Sequence, residues 1–187
     1  MRLSAKNSVL ALLLLAALSA CNNDARDYGF EVSSLDATIN SDEASISSQL
    51  DIRLSDAAQL ALERGIPLTL RIHFRARKDS WLPGSTIATA EHVYKMSYLP
   101  LSEHYALTDM ITGIQQTFPR LRYLISSLSR QNQVILLGDP GPGSYVIQVR
   151  AELDLRKLPA PMRLPARIAP EWRLSSDWHS WLFDIPA

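Results

Sequence analysis

The chain has one cysteine, Cys21, in 187 residues. No intrachain disulfide can form, so the fold must be held by its core and its hydrogen bonds. Histidine is also scarce. His73, His92, His104 and His179 include no pair at i, i+4 on one helix and no His-Glu-x-x-His. Glu91-His92 and Glu103-His104 are the adjacent acid–imidazole pairs, and neighbours on a strand point to opposite faces. His92 therefore reads as a buried, hydrogen-bonded residue and His104 as a turn residue, and no metal site is expected. There is no Gly-x-Ser-x-Gly elbow and no Ser-x-x-Lys box. Neither catalysis nor a cofactor is expected. The seven glycines include one run with prolines, Gly138 to Gly143. That run lacks the Lys-Ser/Thr ending of a phosphate loop, and its prolines remove amide donors. It predicts a hairpin turn. Charge of one sign is lacking too, with 19 basic against 19 acidic residues, which gives no footprint for nucleic acid.

Long apolar runs are confined to Val9–Leu18, ten residues. A membrane-spanning helix needs ~20. With Arg2 and Lys6 before it, the run has the form of a signal-peptide core. Leu18-Ser19-Ala20-Cys21 follows directly and resembles a bacterial lipobox, in which the cysteine thiol receives lipid and becomes the mature N-terminus. Acylation would also consume an odd thiol that is otherwise an oxidation liability in an exported protein. The expected organisation is a lipoprotein signal peptide over 1–20, a tether over 21–27 and a single domain over 28–187. The mature chain loses two of the basic residues and none of the acidic ones, for a formal charge of −2. Asn22 rather than Asp follows the cysteine, which favours the outer over the inner membrane. The expected location is the bacterial envelope, facing the periplasm.

What the chain has is alternation. Tyr28–Ile39 predicts a first strand, with Phe30 and Val32 in one phase and Leu35, Ala37 and Ile39 in the other. A bulge near Ser33-Ser34 reconciles them. Ala44, Ile46, Ser48, Leu50, Ile52 and Leu54 alternate with polar residues as a half-buried strand. A short helix follows, capped by Ser55 or Asp56, with Leu54, Ala58, Ala61 and Leu62 inward and Gly65 at its stop. Leu68, Leu70, Ile72, Phe74 and Ala76 mark the clearest strand. Ala88–Leu99 and Tyr105–Ile111 predict two more, interrupted by Pro100. Gly113–Phe118 is ambiguous between strand and loop. Pro119 suits the first turn of a second helix, with Leu121, Leu124, Ile125 and Leu128 at helical spacing. Val134–Leu137 and Tyr145–Leu153 are the last expected strands. From Leu158 on, five prolines and three tryptophans predict an irregular tail whose rings pack back on the domain. The fold class is mainly β (α+β), an antiparallel β-sandwich-like domain with two short helices.

The opposite face of the clearest strand is basic. Arg71, His73, Arg75 and Arg77 recur every ~6–7 Å along one side. They could meet lipid phosphates, lipopolysaccharide or an acidic partner. The favoured reading is that they pair across strands with Asp51, Glu152 or Asp154 as a solvated, internally neutralised face, because these acids lie at matching outward positions.

Three segments carry a resemblance: Ala61-Leu62-Glu63-Arg64-Gly65-Ile66-Pro67-Leu68, Tyr98-Leu99-Pro100-Leu101-Ser102-Glu103-His104-Tyr105, and a tail containing Leu153-Asp154, Leu158-Pro159-Ala160-Pro161 and Trp172-Arg173-Leu174-Ser175-Ser176-Asp177-Trp178. In order and spacing they resemble a proteobacterial exported domain-of-unknown-function family, number 4390, over nearly all of the mature chain. The resemblance implies an exported protein and carries no catalytic residues. It also implies a gene neighbourhood shared with a nitrogen-type sensor kinase. The expected function is a lipid-anchored extracytoplasmic interaction module, attached to the membrane through its N-terminal lipid and binding an envelope protein, glycan or lipid headgroup. The alternative is a periplasmic sensory accessory that presents a signal to a membrane sensor kinase.

Overall fold

The computed structural model describes residues 27–40, 42–80 and 86–186. The expected signal peptide over 1–20, Cys21, all of the expected tether except Asp27, and Trp81 lie outside the described residues. Two antiparallel sheets share one core. The smaller is β1 (Gly29–Asn40), β2 (Glu43–Arg53) and β7 (Arg130–Leu136), in the order β1-β2-β7. The larger comprises β3 (Leu68–Lys78), β4 (Thr86–Leu99), β5 (His104–Asp109), β6 (Gln115–Phe118), β8 (Gly143–Leu153) and β9 (His179–Ile185). Its order is β6-β5-β4-β3-β8-β9. The helices are α1 (Asp56–Glu63), α2 (Leu121–Leu128) and α3 (Ala160–Ile168).

The alternating residues dictate this packing. Ile46, Leu50 and Ile52 of β2 face Leu70, Ile72 and Phe74 of β3 and Ile147, Val149 and Ala151 of β8 across the core, all nearly or fully buried. In β1 the ladder shifts between Val32 and Ser34. The shift keeps Phe30 and Val32 inside on one side of it and Leu35 on the other, because one extra residue reverses the strand phase. Ser55 caps α1 by accepting the Ala58 amide at 3.3 Å. Gly65 ends it at φ 82°, a left-handed conformation that disfavours other residues. Ala58, Ala61 and Leu62 are the buried stripe.

The structure corrects the sequence-derived account at five places. There are three helices among the described residues, not two. The C-terminal tail is ordered secondary structure, not an irregular segment: α3, a 3-10 turn over Pro170–Trp172, and β9. The alternation of Trp181, Phe183 and Ile185 with Ser180, Leu182 and Asp184 allows β9 to pair with the β8 edge, and its prolines lie outside the strand. The expected packing of the tail's rings does occur: Trp172 is buried and Trp178 and Trp181 are half-buried. Gly138–Gly143 is not a hairpin turn. It carries the chain from one sheet to the other, because β7 pairs with β2 and β8 with β3 and β9. Pro119 precedes the α2 N-cap, Arg120, instead of occupying the first helical turn. Asp51 lies on the smaller sheet, 3.4 Å from Arg53, so it is no partner of the basic face.

Candidate anionic-ligand face

The outward side of β3 carries Arg71, His73, Arg75 and Arg77, as the period of two requires. The flanking strands bring different chemistry to its two ends. At the Arg71 end, β4 and β8 supply acids. Arg71 Nε donates to Asp154 Oδ2 at 2.7 Å, and its Nη1 donates to both oxygens of Glu91 at 3.0 and 3.1 Å. His73 sits between two carboxylates, with Nδ1 3.4 Å from Glu91 and Nε2 3.3 Å from Glu152. Asp154 is 4% exposed. Burial alone would raise its carboxyl pKa, but hydrogen bonds from Arg156 and Arg71 outweigh that, and it lies below the usual aspartate value.

The Arg77 end has no such neutralisation. Arg75 Nε donates to the neutral Gln148 Oε1 at 2.9 Å, and Gln148 Nε2 donates onward to Ser180 Oγ at 2.8 Å. The Arg75 guanidinium carbon stacks 3.8 Å from the Trp178 ring centroid, a cation–π contact. The same indole lies 6.4 Å from the His73 ring. Arg150, opposite His73 on β8, contacts Glu152 at 3.5 Å. The buried Nε atoms of Arg77 and Arg150 have no hydrogen-bond partner. Partial burial, then repulsion from Arg77 and Arg150, lowers the Arg75 pKa from its ordinary value. The arrangement is a guanidinium cluster, half-buried and braced by an indole, with fewer acids than cations. Planar forks of this kind suit phosphate and carboxylate oxygens.

Of the predicted residues, the structure thus divides the four into a neutralised pair, Arg71 and His73, and an unneutralised pair, Arg75 and Arg77. Trp178 and Glu91 were not foreseen as members. Glu91 was discernible from its outward phase on β4. Trp178 was hidden because nothing in the Pro-rich tail places it over β3.

A second polar feature lies at the other edge of the core. His92 Nδ1 is 2.9 Å from Gln131 Oε1, which also accepts from Tyr94 OH at 3.1 Å. Gln131 Nε2 donates to the Leu128 carbonyl at 2.8 Å. Burial, then the Asp109 charge, raises the Tyr94 pKa and keeps its hydroxyl a donor. Asp109 accepts the Ile111 and Thr112 amides. A cavity of about 240 Å³ opens here, lined by Tyr94, Asp109, Thr112, Arg130 and Gln131. His104 lies at the β4–β5 turn with Nδ1 2.5 Å from the Ser102 carbonyl. Among the described residues no three His, Cys, Asp or Glu side chains gather as metal ligands, and no helix is long and apolar enough to cross a membrane.

Fold and face together define a mainly-β, two-sheet domain with a charged outer surface on its larger sheet. The sequence profile of a domain of unknown function, DUF4390, matches residues 27–182. The chain belongs to that family. Comparison with curated proteins and with solved structures returned no match.

Proposed function

We propose that this chain is a non-catalytic binding module of the bacterial envelope, held at the membrane through lipid on Cys21. Its ligand is an anionic group, the phosphate or carboxylate of an envelope glycan, received at Arg75, Arg77 and Arg150 beside Trp178. The observation that carries the reading is the asymmetry of the basic face: carboxylates satisfy Arg71 and His73, while Arg75 bonds the neutral Gln148 and Arg77 has no ion pair with a described carboxylate. Purified lipopolysaccharide is the probe. The triple variant Arg75→Gln/Arg77→Gln/Arg150→Gln should lose its capture and remain folded. Capture by the wild type should fall steeply with salt, because exposed charges are screened beyond about 8–10 Å at physiological ionic strength. Equal capture by both proteins would remove this face from the functional account.

The cavity beside Asp109 supports a second reading, a sensory accessory to a membrane kinase. Its lining carries both signs of charge, Asp109 and Arg130, with Tyr94 and Gln131, which suits a small polar solute as the signal. Solute-dependent quenching lost in Asp109→Asn, with lipopolysaccharide capture unchanged, would favour it.

A further inference from the structure

We infer that α3 is a docking surface for an anionic lipid bilayer. Along this nine-residue helix, Met162 is half-buried and Ala166 buried on the inner face. Leu164 and Ile168 lie one turn apart on the opposite side, each 68% exposed. Arg163 and Arg167 lie together along one side of that apolar pair, with Pro161 and Pro165 along the other, and both arginines are also exposed. A helix that turns two large aliphatic side chains to solvent beside a row of cations has the composition of an in-plane interfacial helix.

The charge around it commits the surface to an anionic occupant. From Leu155 to Arg173 the chain carries Arg156, Lys157, Arg163, Arg167 and Arg173 against one carboxylate, Glu171. Among the described residues, Arg156 alone of these cations has a carboxylate partner, Asp154 at 3.0 Å. Arg163 Nε and Arg173 Nη2 donate to main-chain carbonyls, of Leu158 and Ile168, which leaves their charge uncompensated. The chain as a whole is balanced, so this local excess is a property of the segment. Long arginine stems can lie along the acyl boundary with the guanidinium at the phosphates. A cation near an anionic leaflet strengthens binding by on the order of fivefold. The surface is separate from the guanidinium cluster on β3, and the inference does not rest on the proposed glycan reading or on lipid at Cys21.

The test uses the full chain with one environment-sensitive fluorophore, attached through Leu164→Cys in a Cys21→Ser background. A local probe is needed because residues 9–18 could bring the whole protein to a vesicle. On phosphatidylcholine vesicles containing phosphatidylglycerol, the emission should shift to the blue and be quenched by a lipid-borne quencher. Salt should weaken the effect, and Arg163→Glu/Arg167→Glu should reduce it roughly tenfold or more. A probe at Ile168→Cys should behave in the same way, which guards against misfolding of one variant. A probe at Ser47→Cys, exposed on the smaller sheet, should stay water-like. Four results would overturn the inference: no shift at either helix position on the anionic vesicles, an equal shift on phosphatidylcholine alone, the same shift at Ser47→Cys, or a shift before vesicles are added. The last would mean that a second copy of the protein covers the helix.

Discussion

Phe74 and Arg75 are neighbours in sequence with opposite tasks. Phe74 is 1% exposed and packs edge-on to His92 at 5.2 Å between ring centroids. Phe74→Ala should cost about 3–5 kcal/mol, read by denaturant unfolding. Arg75→Ala breaks the Gln148 bond and the Trp178 stack, so it should cost about 1–2 kcal/mol, more than an isolated surface substitution. Asp154 sets a pH dependence. Its pKa is lowered in the fold, so its contribution is present above the unfolded value of about 3.9 and disappears as pH falls through the lower folded value. Asp154→Asn should remove about 2–3 kcal/mol at neutral pH and flatten the acid limb of the stability curve. A limb as steep as that of the wild type would mean that other carboxylates carry it.

Among the elements, the strands were legible wherever one face is buried. In β3 and β8 every second residue is apolar, and no other phase would keep Leu70, Phe74, Ile147 and Val149 dry. The same logic made the β1 bulge readable from Val32 and Leu35 alone. Deleting Ser33, the residue with no partner on β2, should remove the shift, keep Leu35 opposite Ser48 on the core face, and change unfolding stability by less than about 1 kcal/mol. A loss of about 2–3 kcal/mol, as expected if Leu35 turned to solvent, would contradict this register. The helix α3 and strand β9 were not legible. Proline at 159, 161, 165 and 170 masks helical spacing, and β9 is specified by the β8 edge it joins. The candidate face was half legible for the same reason. Its cations share one strand, but which of them are neutralised depends on Glu91 and Glu152 from neighbouring strands and on Trp178 from the tail.

At the scale of the molecule, the larger sheet does two things. Its inner face forms the core with β1, β2 and β7, and its outer face displays charge graded from neutralised to cationic along β3. The three-stranded sheet has a different outer side, with Ser45 and Ser47 among the exposed acids Glu31, Glu43 and Asp51. Apart from the bilayer-facing α3, the account therefore predicts one glycan-binding surface on a domain proposed to be anchored through Cys21. Mass spectrometry of the mature N-terminus should find diacylglyceryl on Cys21, and an unmodified N-terminus elsewhere would detach the domain from the proposed lipid. The most direct measurement is a proton–nitrogen correlation spectrum titrated with lipopolysaccharide. The account predicts that perturbations concentrate at the guanidinium N–H signals of Arg75, Arg77 and Arg150 and at the Trp178 indole, and that salt reverses them. Perturbations gathered around Asp109 and Tyr94, with the arginine signals unmoved, would contradict it.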